Sequence, residues 1–216
     1  MSRAYGQQCG VAKALDLLGE RWTLMILRDL CAGSAGFNQL LRALRGIGPN
    51  LLSARLGQLQ ASGLVQAGEH GYALTPRGQA LRPLLRTLMA TGHFLGRPAG
   101  GGDAPVPART VLGVLFDPLQ ASDMERIIEV QVGEERFTCF VSHGRLAIRP
   151  DAAPVIPDVR LQATAAGFTR AVSGAPPGED FRLRGDAAAL RDFRMAFALP
   201  MAPLRDTVAL FAGEAG

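Results

Sequence analysis

The sequence predicts an α+β protein in two parts: a mostly helical domain over residues 1–95 and a smaller α+β domain over 110–216. Three observations predict it. Apolar residues recur with a helical period up to about Leu95. Residues 96–109, which include Gly96-Arg97-Pro98-Ala99-Gly100-Gly101-Gly102, are rich in Gly and Pro and read as a linker. Beyond them the apolar period shortens to two, with helices interspersed among the strands.

In the first part, Val11 to Leu18 forms a short helix that Gly19 ends. Arg21 to Cys31 forms a second, burying most of Trp22, Leu24, Met25, Ile26, Leu27 and Leu30. Phe37, Leu40, Leu41 and Leu44 are the apolar face of a third. Pro49 opens a fourth as a first-turn proline, and Leu52, Leu56 and Leu59 are its core stripe at i, i+4 and i+7. Gly63 stops it. Leu64-Val65-Gln66 and Tyr72-Ala73-Leu74 read as two strands around Gly68–Gly71. Thr75-Pro76 caps and opens a long helix to about Leu95, which Pro83 should kink.

In the second part, Ile127–Val132, Arg136–Val141, Gly144–Ile148, Asp158–Ala163 and Phe181–Arg184 read as strands. Ala165–Ser173 and the segment from Asp186 through Phe197 read as helices, the second capped by Asp186. A last amphipathic segment spans Pro203–Phe211, with Leu204, Val208 and Phe211 at i, i+4 and i+7.

The chain has 216 residues, 48% of them hydrophobic, enough for two modest cores. No apolar run approaches the ~20 residues of a membrane span, and the N-terminus lacks a signal-peptide core, so a soluble cytoplasmic protein is expected. Cys9, Cys31 and Cys139 are too few and too scattered for a disulfide framework. The net charge of +4 is uneven. Residues 1–95 carry ten Lys/Arg against four acids, a net of +6; residues 110–216 carry eleven Arg against fourteen acids, a net of −3. Only the first half is expected to meet a polyanion.

Gly36 to Leu81 therefore reads helix, tight turn (Gly46-Ile47-Gly48-Pro49), helix, β-ribbon, helix. That order is the sequence shape of a winged helix-turn-helix, whose second helix lies in the DNA major groove. With Leu52, Leu56 and Leu59 inward, the outward face is Asn50, Ser53, Ala54, Gly57, Gln58 and Ala61. Asn50, Ser53 and Gln58 can hydrogen-bond to bases, and Asn and Gln suit adenine. Arg42, Arg45, Arg55 and Arg77 are candidates for phosphate contacts, with Arg21 beside them. Arg55 lies near the edge of the buried side, placed for a phosphate or an internal ion pair.

Residues 9–95 resemble the HxlR-type regulators, a winged-helix group related to MarR. The matching pieces are Cys9, Leu15-Asp16-Leu17-Leu18-Gly19, Arg21-Trp22-Thr23-Leu24, Phe37-Asn38-Gln39-Leu40, Leu52-Ser53-Ala54-Arg55-Leu56, Gly63-Leu64-Val65 and Tyr72-Ala73-Leu74-Thr75-Pro76-Arg77-Gly78. The resemblance implies a DNA-binding homodimer in which the first and long last helices pack across the two-fold. Two recognition helices would then face double-stranded operator DNA about one turn (~34 Å) apart. The chain departs from the family where DNA would be touched. Gly36 and Asn50 stand where basic residues are usual, and the wing Gln66-Ala67-Gly68-Glu69-His70-Gly71 is short and holds no Arg or Lys.

The second part resembles the sterol-carrier-protein-like fold, a small α+β domain with an apolar tunnel. The order strand Asp158–Ala163, helix ending in Gly174, strand, Gly185-Asp186, helix is its most specific trace. The resemblance implies a binder of hydrophobic small molecules. Together the halves imply a regulator, in the repressor sense, whose second domain senses a hydrophobic effector or only dimerises and stabilises. The alternative is a lipophilic-ligand binding protein whose winged helix serves only dimerisation or protein contacts.

An enzyme is not expected. His70, His93 and His143 share no metal-ligand spacing, and no HExxH, CxxC, GxSxG or phosphate-binding glycine loop occurs, so no metal or cofactor is expected. Asp16 and Glu20, separated by Gly19, read as solvated charges. Cys9 precedes a helix and lies near Arg3 in sequence, the setting of an acidified redox-sensor thiol; a small residue filling a dimer contact is the other reading. Cys31 and Cys139 sit in apolar patterns and are expected to be inert.

Overall fold

The apolar stripes of the N-terminal helices meet in one core. Ile26, Leu27, Leu30, Leu40, Leu44, Leu52, Leu56 and Leu59 are all essentially inaccessible to water. Each such side chain contributes roughly 1.5–3 kcal/mol by leaving it. The computed structural model describes residues 4–95, 106–150, 156–176 and 178–199. The chain forms two compact units that divide between Phe116 and Asp117, except that Leu146–Ile148 is grouped with the first.

The first unit runs α1 (Gly10–Leu18), α2 (Thr23–Leu30), α3 (Phe37–Ala43), α4 (Pro49–Ala61), β1 (Val65–Gly68), β2 (Gly71–Leu74), α5 (Pro76–Gln79), α6 (Arg82–Leu95) and α7 (Ala108–Leu115). Three features differ from the sequence expectation. The second helix starts at Thr23, not Arg21, because Trp22 takes φ 80° and the Thr23 N–H closes a turn onto the Glu20 carbonyl at 3.1 Å. The long last helix is broken rather than kinked. Thr75 caps α5 by accepting from the Gly78 N–H at 3.1 Å, the chain turns at Ala80-Leu81, and α6 restarts with Pro83 in its first turn, where the missing N–H costs no bond. Finally, α7 lies where the sequence reading begins its second domain. Ala108, Thr110 and Leu112 to Leu115 are buried, and α7 packs against α2 and α6 in the first unit. A Cβ on Gly113 would fall 2.7 Å from the Cys31 and Ala32 backbone, so glycine permits that approach.

The second unit holds a five-stranded sheet in the order β5-β4-β3-β6-β7. Its strands are β3 (Glu125–Val132), β4 (Glu135–Ser142), β5 (Arg145–Pro150), β6 (Val159–Ala163) and β7 (Phe181–Gly185). β3 pairs antiparallel with β4 and parallel with β6, and β6 pairs antiparallel with β7. Period-two alternation turns Ile128, Val130, Phe137, Cys139, Val159, Leu161, Phe181 and Leu183 into the core. Phe168 of α8 (Ala165–Val172) and Phe193 of α9 (Ala187–Ala196) are buried as well. Both helices start where the sequence placed them, behind Thr164 and Asp186. Asp186 accepts from the Ala188 and Ala189 N–H groups at 2.9 and 2.8 Å. The five strands and two helices named from the sequence in this unit are present, with ends shifted by a few residues, and the architecture of the chain is α+β. Pro203–Phe211, Arg3 and most of the linker lie outside the described residues.

Candidate nucleic-acid interface

The turn between α3 and α4 is built around Ile47. Its side chain is buried, and its N–H donates to the Leu44 carbonyl at 3.1 Å. Gly46 supplies φ 95°, a conformation that a side chain would strain. The Trp22 ring edge lies 3.8 Å from where a Gly46 Cβ would stand. Gly48 takes the N-cap position of α4 in extended conformation, with no side-chain cap. Pro49 follows at the first helical position, leaving the first-turn N–H groups of Asn50 and Leu51 without a helical partner.

At its other end α4 closes in a Schellman motif. Leu64 N–H donates to Leu59 O and Gly63 N–H to Gln60 O, both at 2.9 Å, and Gly63 takes φ 68°. The chain thereby turns into β1 and β2. Ala35 joins this ribbon through reciprocal 2.9 Å bonds with Tyr72, making a third short edge that the sequence does not announce.

Fixed at both ends and along Leu52, Leu56 and Leu59, α4 exposes Asn50, Ser53, Ala54, Gly57, Gln58 and Ala61. The helical-wheel reading assigns that same face. Arg42 on α3, Arg45 in the turn and Arg77 on α5 are exposed, as is Arg21, whose guanidinium lies 5.2 Å from the Trp22 ring centroid. Glu69 and His70 are exposed at the wing tip.

Arg55 is different. Its side chain is only 13% exposed, and its Nη2 donates to Glu20 Oε2 at 2.6 Å. Its Nη1 donates to Gln58 Oε1 at 2.7 Å. Of the two sequence readings of Arg55, the internal ion pair is the one formed. Glu20 is therefore a partnered charge and not a solvated one, and Asp16 accepts from the Tyr5 N–H at 2.8 Å. Sequence reasoning also passed over Leu51, which is 38% exposed one residue after Asn50. Its offset of −100° from Leu52 leaves it on the flank of the buried stripe, a signal available in the helical wheel.

Residues 17–98 match the HxlR-like helix-turn-helix family. An HTH-type transcriptional regulator of Synechocystis is 32% identical over 94 residues, covering 40% of this chain and 70% of that protein. The Bacillus subtilis regulator YdzF is 34% identical over 92 residues, covering 39% of this chain and 84% of its own length. The chain belongs to the HxlR-like helix-turn-helix family. A Mycobacterium tuberculosis HTH-type transcriptional regulator is 42% identical over 98 residues, and there the match spans 61% of the relative. The HxlR-like match lies within the first unit: it includes α2, α3, α4 and the wing, leaves out most of α1 and all of α7, and says nothing of the five-stranded sheet.

Cys9 occupies the N-cap position of α1 and is exposed. The backbone N–H groups of Ala12 and Val11 at the start of α1 favour the thiolate and hold its pKa below the ordinary value, though no hydrogen bond to the sulfur forms. Cys31 is buried, and desolvation pushes its thiol up to about 11. Cys139 is buried deeper and is also pushed up by desolvation. Among the described residues no group of three His, Cys, Asp or Glu could hold a metal ion, and no helix is long and apolar enough to cross a membrane.

Proposed function

We propose that this HxlR-like chain is a homodimeric DNA-binding transcriptional regulator, acting as a repressor, that lays α4 in the major groove of its operator. The observation that carries the reading is the exposed strip Asn50, Ser53 and Gln58 on a helix held by its buried leucines and its C-terminal Schellman turn. The relatives' designation as HTH-type transcriptional regulators supports it. Asn50, Ser53 and Gln58 meet base edges, with Ala54 between them for a thymine methyl. Arg42, Arg45 and Arg77 meet phosphates, assisted by the uncapped N-terminus of α4.

A dimer is favoured by two apolar pairs at i, i+4: Val11 and Leu15 on α1, and Leu84 and Leu88 on α6. Their exposures of 67%, 42%, 38% and 42% are large for such side chains in a monomer. The second unit, in keeping with its sterol-carrier-like sequence, binds a hydrophobic effector and shifts operator affinity. Such coupling requires different effector affinity in the free and DNA-bound states. Cys9, exposed and acidified, serves as a redox sensor.

The test is salt-dependent binding to the DNA upstream of the chain's own gene. A reader of this kind shows log K falling linearly with log salt, at about −0.9 per phosphate neutralised. Flat, weak binding at every salt concentration would favour the reading in which the winged helix serves only dimerisation. Long-chain fatty acids added to the complex should change its affinity; no change with any of them counts against sensing.

A further inference from the structure

The ion pair under α4 does more than anchor it. Leu51, Arg55 and Gln58 lie on one flank of the helix, at i, i+4 and i+7. The left-handed Trp22 turns the chain between α1 and α2 there, and Glu20 pairs with Arg55 from that turn. Arg55 bridges Glu20 and Gln58 with bonds of 2.6 and 2.7 Å, and its Nε is buried without a hydrogen-bond partner. A guanidinium can only donate hydrogen bonds. The Gln58 atom facing Arg55 must therefore be the carbonyl oxygen, and the side-chain amide has one allowed orientation rather than two. Its NH2 group is left for the exposed side of α4.

We propose that Glu20 and Arg55 are positioning residues that hold Gln58 with its NH2 outward, so that Gln58 selects guanine over adenine. This rests on the reading of α4 as the recognition helix. A free glutamine suits adenine because its oxygen accepts from N6 while its nitrogen donates to N7. A glutamine whose oxygen is turned back onto Arg55 offers donors alone. Guanine presents two acceptors, O6 and N7, whereas adenine presents N7 beside a donor that repels the NH2 group. Arg55 thus sets the specificity of its neighbour without itself touching DNA.

The experiment is selection of bound DNA from a randomised duplex pool by the full chain, followed by affinity measurement for guanine and adenine at each selected position. The variants are Arg55→Met, Glu20→Ala, Gln58→Ala and the double variant Arg55→Met/Gln58→Ala. Thermal unfolding identifies any variant that fails to fold; Gln58 is exposed, so its variant keeps the test usable. The wild type should prefer guanine at one base pair in each half-site. Arg55→Met should move that preference toward adenine by about tenfold, the scale of one bidentate base contact. Glu20→Ala should move it the same way by less. Arg55→Met should move nothing at that base pair when Gln58 is already alanine. A uniform loss of affinity in Arg55→Met, with the salt slope reduced by about 0.9, makes Arg55 a phosphate contact and overturns the inference alone. So does a selected sequence that Arg55→Met leaves unchanged. If the wild type selects no sequence, the reading of α4 itself falls, and this inference with it.

Discussion

Gly71 and Gly68 close the same β-turn, yet only one of them should resist substitution. A Cβ on Gly71 would stand 2.5 Å from the Ala35 carbonyl oxygen and 2.7 Å from its carbon, about 0.9 Å inside ordinary contact. Gly71 also sits at φ 99°, which costs a side-chain-bearing residue roughly 1–2 kcal/mol. Relieving the clash means moving Ala35 away from β2, which breaks its two 2.9 Å bonds with Tyr72, each worth about 0.5–1.5 kcal/mol. Gly71→Ala should therefore destabilise the first unit by about 2–4 kcal/mol. Gly68→Ala, whose Cβ would meet nothing nearer than 3.9 Å, should stay within about 0.5 kcal/mol of the parent. Urea unfolding followed by Trp22 fluorescence measures both, since Trp22 is the single tryptophan and lies in this unit. Equal losses in the two variants, or none in Gly71→Ala, would refute the claim that the wing is tied to Ala35.

Thr75→Ala removes the cap of α5 together with the Thr75 hydroxyl's 2.6 Å bond to the Gly63 carbonyl, and should cost about 1 kcal/mol in the same assay; Thr75→Ser should recover most of it. Brief alkylation of the native protein, read by mass spectrometry, should label Cys9 and spare Cys31 and Cys139; labelling of all three at one rate would contradict the account of thiol burial and acidification. In the second unit, hydrogen bonds from Thr164 and Arg170 hold the Asp180 carboxyl below its usual range, and the Ala189 and Ala188 N–H groups do the same for Asp186. A folded value below the unfolded one gives stability that is present above the unfolded value and lost as pH falls through the folded one. Thermal unfolding from pH 7 to pH 2 should show such an acid limb, flatter in Asp186→Asn; identical limbs in the two proteins would remove Asp186 from the explanation.

Much of the candidate interface is legible in the sequence because it depends on local spacing. Leu52, Leu56 and Leu59 name the buried stripe of α4, and the wheel built on them yields Asn50, Ser53 and Gln58 as its exposed polar groups. Pro49, Gly63 and Thr75-Pro76 mark ends that the structure keeps. What is not legible depends on tertiary geometry. Glu20 and Arg55 are 35 residues apart, and nothing near Glu20 announces a partner. Trp22 is a bulky aromatic in the left-handed region, where local preference argues against it. Pro83 reads as a kink because the segment before it is helix-like, whereas Ala80-Leu81 turns and makes Pro83 a first-turn residue. α7 follows the Gly/Pro-rich stretch directly, and its 8 residues make only about two turns, too short a period to stand out beside that linker.

Every role proposed for the first unit depends on α4 reading DNA. The direct measurement compares the full chain with an Asn50→Ala/Ser53→Ala/Gln58→Ala variant for binding to a selected operator and to a shuffled duplex, by fluorescence anisotropy across a salt series. These side chains are exposed, so the fold should persist. The triple variant should lose discrimination between operator and shuffled DNA, with each lost base contact costing about 1–3 kcal/mol, while its salt slope stays that of the parent because Arg42, Arg45 and Arg77 remain. A triple variant that still discriminates as well as the parent would contradict the assignment of α4 as the recognition helix.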